Sequence, residues 1–209
     1  MSELMRTLVR VSEKAADIVR VCRQEESLFS LLIEEKKEDE KNKRFVTDFK
    51  TLADVLIQEV IKHDIGKQFP GIENNIFGEE SHEFTNRLGE KIQVQVCETE
   101  QDTCRLLCKV LQGNVEAAKA LARAAHGDLT IPDLRTGDFS LPLDSLGVWV
   151  DPIGGMDITT GEYHLAPLML IPSSHQQGEP KSTTAAVSQH PVSRGHRVQQ
   201  CLAQGKLIV

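Results

Sequence analysis

Apolar residues at helical spacing predict five helices in the first 126 residues. The first helix has an apolar face of Leu4, Leu8, Val11, Ala15, Ile18 and Cys22, which recurs every three to four residues as in an amphipathic helix. A second helical stretch is predicted through Leu28, Leu31, Leu32 and Ile33. A third helix is predicted over residues 51–63, with Thr51 as its N-cap and Asp54 in the capping-box position.

The last two helices are predicted over residues 102–111 and 114–126. Their core candidates are Leu106, Leu107, Val110, Leu111, Val115, Ala118, Leu121, Ala122 and Ala125. Strands are predicted at residues 75–81, at 91–96, where polar and apolar residues alternate, and at 146–153, an apolar run that ends at an acid and a proline. This order of elements predicts an α/β fold of the layered α+β kind.

Length and composition narrow the class of protein. A chain of 209 residues suits one domain or one and a half, and its net charge of −7 argues against a nucleic-acid-binding protein. No apolar run approaches the roughly 20 residues of a membrane span, and the N-terminus has no signal-peptide pattern. Five cysteines at irregular spacing fit reduced thiols better than a disulfide framework. We therefore expect a cytoplasmic protein without a membrane span.

Charge is distributed unevenly along the chain, which predicts that two segments of different amino-acid composition follow one another. The chain has 31 acidic and 24 basic residues in total. Residues 163–209 contain one acidic and four basic residues, so residues 1–162 contain 30 acidic and 20 basic ones. Residues 34–44 form a charged run, interpreted as a solvated helix end or loop. Residues 165–171 are apolar enough for one short strand, interrupted by Pro167, and residues 172–197 are predicted to be disordered.

Three acidic segments are candidates for metal chemistry: residues 48–54 (DFKTLAD), 78–81 (GEES) and 149–153 (WVDPI). Taken singly, each acid has an ordinary structural explanation as a cap, turn or helix-dipole partner. Together they supply the oxygen ligands that Mg²⁺ prefers. Two such ions would clamp a phosphoryl group and activate water for in-line attack.

The chain resembles the inositol polyphosphate 1-phosphatases of the inositol monophosphatase superfamily over residues 1–153. The resemblance rests on residues 11–16 (VSEKAA), 31–37 (LLIEEKK), 48–56 (DFKTLADVL), 75–81 (NIFGEES) and 149–153 (WVDPI). It implies Mg²⁺ as cofactor, with two or three ions in the intact family, and a fold of alternating helix and sheet layers. It also implies lithium-sensitive removal of the 1-phosphate from inositol 1,4-bisphosphate and inositol 1,3,4-trisphosphate.

The same resemblance implies a role for each matching residue. Glu79 would be a magnesium ligand. Asp151 would be a second ligand and a candidate for bridging two ions, and the carbonyl of Ile153 would complete the site. Asp54 would lie near a further metal and the attacking water. Thr51 and Glu80 would be supporting residues.

The motif departs from the family pattern directly after Ile153. The family continues with Asp, then Ser or Gly, then Thr, whereas this chain has Gly154, Gly155 and Met156. Glycine has no carboxylate, and Asp157 comes three residues late. Nothing after Ile153 resembles the second half of the family. We therefore divide the chain into an N-terminal phosphatase-like part, residues 1–153, and a divergent tail, residues 154–209, which would cover some of the apolar surface of strand 146–153.

Two alternatives to the phosphatase interpretation remain open. The first alternative is a non-catalytic truncated product that at most binds metal weakly or contacts partners. The second is a bisphosphate nucleotidase, a kind of enzyme that shares the acidic motifs. A zinc site at Cys97, Cys104, Cys108 and His126 lacks a matched second pair of ligands. The serines have no adjacent base that would make a nucleophilic triad.

Overall fold

The computed structural model describes residues 3–24, 32–36, 49–129, 146–151, 153–157, 162–165, 169–172 and 207–208. The helices are α1 (Glu3–Gln24), α2 (Leu52–Gln68), α3 (Glu100–Val110) and α4 (Val115–His126), and a short 3-10 helix spans Glu73–Asn75. The strands are β1 (Ile33–Glu35), β2 (Phe49–Thr51), β3 (Ile76–Gly78), β4 (Glu83–Thr85), β5 (Lys91–Gln93), β6 (Leu146–Val150), β7 (Ile153–Asp157), β8 (Glu162–Leu165), β9 (Met169–Pro172) and β10 (Leu207–Ile208).

Helix α2 is the centre of the helical core. Its buried apolar residues lie all around the helix, as expected of a helix covered on every side: Leu52, Val55, Leu56, Ile57, Val60, Ile61 and Ile65. Helix α1 packs against α2 and α4 with an apolar face that includes Leu8, Val11 and Ile18, all fully buried. Helices α3 and α4 pack on each other.

The main sheet has four strands in the order β10-β9-β6-β3. Strands β3 and β6 are parallel, with Gly78 opposite Val150, whereas β9 is antiparallel to both β6 and β10. The pairs β1–β2, β4–β5 and β7–β8 form three separate antiparallel ribbons. Because β3 and β6 run in the same direction, the residues that follow them emerge at the same edge of the sheet.

The structure confirms the mixed helix-and-strand fold class and most of the predicted elements. The first helix, the helix beginning after Thr51 and the two helices before residue 127 are present, although α2 continues to Gln68. Strands are also present within the predicted segments 75–81, 91–96, 146–153 and 165–171. None of the helices in the described ranges is long and apolar enough to cross a membrane.

Three local predictions were wrong, and tertiary contacts explain the first two. Ile33, predicted to be helical, begins strand β1, where it pairs with Thr51 of β2. Lys36, predicted to lie in a solvated run, is 7% exposed, and its ammonium group lies 2.6 Å from the Glu80 carboxylate. Val115, predicted to be in the core, is 45% exposed at the first turn of α4.

Several predictions fall partly outside the described residues. These are the part of the second helical stretch that contains Leu28 and Leu31, the remainder of the charged run after Lys36, the acid Asp48 and most of the tail. Within residues 154–209 the structure describes strands β8, β9 and β10 together with most of β7, and β9 pairs with β6 through residues 169–172.

Candidate metal centre

The three acidic segments converge because of how the strands and α2 are arranged. Glu79 and Glu80 follow β3, and Asp151 follows β6, its parallel neighbour. The Glu79 amide donates to the Val150 carbonyl at 3.1 Å, so the two strand ends are still paired where the carboxylates begin. Asp54 approaches from the first turn of α2. The carboxyl ends of parallel strands are a frequent location of ligand sites in α/β proteins.

Asp54 is held by the capping box at the start of α2. Its Oδ2 accepts hydrogen bonds from the Thr51 amide at 2.9 Å and the Thr51 hydroxyl at 2.8 Å, and its own amide donates to Thr51 Oγ1 at 3.2 Å. The capping box predicted from the sequence is therefore confirmed. The other carboxylate oxygen, Oδ1, is buried and has no hydrogen-bond partner among the described residues, which is unusual for a buried polar atom.

Burial raises the pKa of Asp54 to about 7. The hydrogen bonds from Thr51 act in the opposite direction, and the carboxylates of Glu80 and Asp151 raise the pKa further. Removal of water penalises the charged form of a carboxyl group, and nearby like charges add to that penalty. The ionised form of Asp54 would therefore be stabilised by an added cation, one that the described side chains do not supply.

Glu79 and Asp151 form a close carboxyl pair. Burial, followed by repulsion from Asp151, raises the pKa of Glu79 to about 7, and the Lys36 ammonium only partly offsets this. The proximity of the Asp151 carboxyl group contributes to this increase in the pKa of Glu79. Two carboxyl groups this close together are a pair of oxygen ligands for a divalent cation, which binds their deprotonated forms.

Two buried lysines that the sequence analysis did not single out stabilise the acidic segment. Lys36 Nζ lies 2.6 Å from Glu80 Oε1 and 3.9 Å from Glu79 Oε1. Lys50, 3% exposed, donates to the Glu83 carbonyl at 2.8 Å and to Ser81 Oγ at 3.2 Å. Both lysines lie within segments that resemble the inositol polyphosphate 1-phosphatases. That resemblance was the only feature of the sequence that pointed to them.

The donor chemistry of these residues fits a hard divalent cation. Mg²⁺ is commonly bound by one or two carboxylates and retains several waters. Glu79 with Asp151, and the unpartnered Oδ1 of Asp54, supply such oxygens. In the described part of the chain, no three His, Cys, Asp or Glu side chains are arranged to hold one metal ion among them. Water or phosphate oxygens would therefore have to complete the coordination.

The other predicted positions lie close by in sequence. Ile153 is the first residue of β7, two residues after Asp151, and Gly154 follows it in the same strand. Glu80 is paired with Lys36, and the buried Thr51 donates two hydrogen bonds to Asp54 Oδ2. The metal-ligand and catalytic roles of these residues stay predictions.

The thiols and histidines do not form a competing site in the described residues. Cys22, Cys97, Cys104 and Cys108 are free cysteines, and burial raises the pKa of Cys22 to about 12, which keeps that thiol protonated at neutral pH. His126 Nε2 lies 2.9 Å from Thr103 Oγ1, and burial lowers the pKa of His126.

Comparison with known proteins gives a partial match to one kind of enzyme. No protein-family model matches the chain. Inositol polyphosphate 1-phosphatase from Homo sapiens is 61% identical over 155 residues, covering 73% of this chain and 39% of the human protein. The protein of that name from Mus musculus is 59% identical over 155 residues, again 73% of this chain and 39% of the relative. The Bos taurus protein is 55% identical over 172 residues, 78% of this chain and 43% of the relative.

The extent of these matches is as informative as their identity. At 55–61% identity, similarity by chance is excluded over the matched part. The chain spans about two fifths of the length of the curated relatives it matches. The chain is thus a homologue of the inositol polyphosphate 1-phosphatases over about three quarters of its own length, and a partial one with respect to theirs.

Proposed function

We propose that the chain acts in inositol phosphate metabolism as a magnesium-dependent, lithium-sensitive phosphatase. Its substrates would be inositol 1,4-bisphosphate and inositol 1,3,4-trisphosphate, from which it would remove the 1-phosphate, and its location would be the cytoplasm. The observation that carries the proposal is the convergence of Asp54, Glu79, Glu80 and Asp151 at the ends of α2, β3 and β6. The homology, which covers about three quarters of the chain, supports it.

In this proposal the protein contributes preorganised negative charge. Glu79 and Asp151 would hold Mg²⁺ together with the carbonyl of Ile153, and Asp54 would use its unpartnered Oδ1 toward a second ion and the attacking water. Thr51 occupies Oδ2 of Asp54 with two hydrogen bonds, which leaves Oδ1 available. Glu80, fixed by Lys36, supports the site. Bound Mg²⁺ would supply positive charge for the phosphoryl oxygens and would polarise the attacking water.

A second candidate function is cation binding without turnover. It is favoured by position 154, where glycine stands at the place of a motif aspartate, and by the match to only 39–43% of each relative. Loss of one carboxylate removes a charge and a metal–oxygen bond. In this case the chain would be a weak metal-binding or interaction module.

Phosphate release from inositol 1,4-bisphosphate by residues 1–209 tests the phosphatase proposal. The assay would be run with Mg²⁺, with and without Li⁺, and with a nucleoside 3′,5′-bisphosphate as the competing substrate. We expect release that requires Mg²⁺, is inhibited by Li⁺ and is lost in Glu79→Gln but kept in Glu116→Gln, an exposed glutamate on α4. Preference for the nucleotide would indicate the nucleotidase alternative.

Titration with Mn²⁺ as a spectroscopic substitute for Mg²⁺, by electron paramagnetic resonance, separates the two candidate functions. Binding without phosphate release would support the cation-binding function. Recovery of release in Gly154→Asp would then identify position 154 as the missing ligand. Absence of both binding and release would overturn both proposals.

A further inference from the structure

Gln58 is a fully buried amide on α2 that faces the acidic segment after β3. Its side chain is 0% exposed and is one turn beyond Asp54 on the same helix. Its Nε2 donates to the Glu80 carbonyl at 2.6 Å, and its Oε1 accepts from the Glu80 amide at 3.0 Å. One side chain therefore satisfies both backbone polar groups of a single residue, as a neighbouring β-strand would.

The orientation of this amide is determined by its partners. A backbone N–H only donates and a backbone carbonyl only accepts, so the oxygen and nitrogen of Gln58 have a single compatible placement. A buried side chain with a single hydrogen-bonded orientation is rigid. The segment that it holds is consequently fixed relative to α2, the helix that carries Asp54.

Gly78 makes room for this contact. A Cβ atom at position 78 would overlap the amide group of Gln58, so any larger residue would force that amide away from Glu80. On the opposite side, the Glu79 amide is bonded to the Val150 carbonyl at 3.1 Å. Glu79 and Glu80 are thus held from two sides, by β6 through the backbone and by α2 through Gln58.

From this geometry we infer that Gln58 is a positioning residue that holds the Glu79–Glu80 segment in register with Asp54 and so sets the affinity of the acidic cluster for a divalent cation. The part of this inference that concerns cation affinity rests on the proposed function. Outer partners that orient metal ligands typically change metal affinity by about 10- to 100-fold when they are removed. Gln58 itself would neither bind the cation nor contact the reacting atoms.

The main test compares Gln58→Met with Gln68→Met in the full chain. Methionine has nearly the volume of glutamine but lacks its hydrogen bonds. Gln68 is the matched control, since it lies on the same helix and bonds to Thr7 and Glu3, away from the acidic cluster. We expect Mn²⁺ to bind about 10- to 100-fold more weakly to Gln58→Met than to the wild-type chain, and Gln68→Met to bind normally.

A second measurement, amide hydrogen exchange at Glu80, does not depend on any metal. Exchange at this amide should be at least about tenfold faster in Gln58→Met than in the wild type and unchanged in Gln68→Met. If Mn²⁺ binds equally well to the wild type and to Gln58→Met, the inference is overturned and the proposed function stands. If the wild-type chain binds no Mn²⁺, the proposed function and the effect of Gln58 on affinity both fail, and exchange at Glu80 alone decides whether Gln58 holds the segment.

A double substitution separates positioning from simple packing. Gly78→Ala should weaken Mn²⁺ binding as Gln58→Met does, because it displaces the same amide. In Gly78→Ala/Gln58→Ala the overlap is removed, so the thermal stability should recover relative to Gly78→Ala while Mn²⁺ binding stays weak. Recovery of both properties together would show that Gln58 only fills space, contrary to the inference.

Discussion

At the scale of single residues, the two carboxylate oxygens of Asp54 lie in different environments. Its Oδ2 closes the capping box of α2 with Thr51, a pattern visible in the sequence. Its Oδ1 is buried without a partner in the described part of the molecule. A cap needs only one oxygen, so the second is available for chemistry, and the sequence pattern gave no sign of that difference.

The raised pKa of Asp54 predicts a pH-dependent stability in the absence of metal. The folded-state pKa of about 7 lies above the ordinary 3.8, so protonation favours the folded chain. The resulting stabilisation is complete below about pH 4 and is lost as the pH rises through 7, with an upper limit of about 4 kcal/mol. Urea unfolding with a metal chelator at pH 5, 6, 7 and 8 should therefore show a falling free energy of unfolding.

Asp54→Asn should reduce this slope, because its amide does not titrate. Part of the slope will remain, since the pKa of Glu79 is also raised to about 7. The matched control is Asp102→Asn, at the same capping position relative to Thr99 at the start of α3 but exposed to solvent. A slope that Asp54→Asn leaves unaltered would show that Asp54 titrates normally in the folded chain.

At the scale of elements, the β1–β2 ribbon is what the sequence predicted least well. Helical spacing of leucines predicted a helix through Ile33, but pairing with β2 places Ile33 opposite Thr51 in a strand. The ribbon is three residues long on each side, so intrinsic preference in either strand is weak. Its contact with the loop after β3, through Lys36 and Lys50, is long-range and has no local signal.

Lys50→Met tests whether the ribbon is anchored by this buried ammonium group. The substitution removes charge-assisted hydrogen bonds to Glu83 and Ser81 and leaves the nearby Glu34 carboxylate, 3.5 Å from Nζ, without its counter-charge. We expect a loss of about 2–4 kcal/mol in the free energy of unfolding, measured by urea denaturation. Lys91→Met removes an exposed ion pair with the Glu83 side chain and should cost less than about 1 kcal/mol; equal losses would contradict the anchoring role.

At the scale of the whole molecule, the main sheet contains strands from both the N-terminal phosphatase-like part and the divergent tail. Strands β3 and β6 belong to the part that resembles the phosphatases, whereas β9 and β10 come from the divergent tail. Strand β9 pairs with β6 from Leu146 opposite Pro172 to Trp149 opposite Met169. Without β9, one edge of β6 would present unpaired backbone groups beside an apolar surface, which favours aggregation.

Two shortened chains test this pairing. Of the described strands, a chain ending at residue 173 lacks β10 and retains β9, whereas one ending at residue 166 lacks both. We expect the first to unfold near the wild-type urea midpoint and the second to unfold at lower urea and to self-associate, as measured by light scattering. If the shorter chain is as stable and monodisperse as the longer one, β9 does not stabilise β6.

The sequence by itself determined the helices with strong periodicity, the capping box of α2 and the identities of the acidic residues. These are local properties, since helical spacing, caps and turn residues act within a few positions of the chain. The resemblance to the inositol polyphosphate 1-phosphatases then predicted that the acidic residues form one site, although their spacing along the chain does not require it.

Only the tertiary structure decided which groups actually approach one another. The parallel pairing of β3 with β6 brings Glu79 beside Asp151, and burial against α2 and the β1–β2 ribbon adds Gln58, Lys36 and Lys50 to the same site. Such contacts join residues far apart in the chain, and desolvation, which raises the pKa of Asp54 and Glu79, depends on everything packed around them. Neither is encoded in any short stretch of residues.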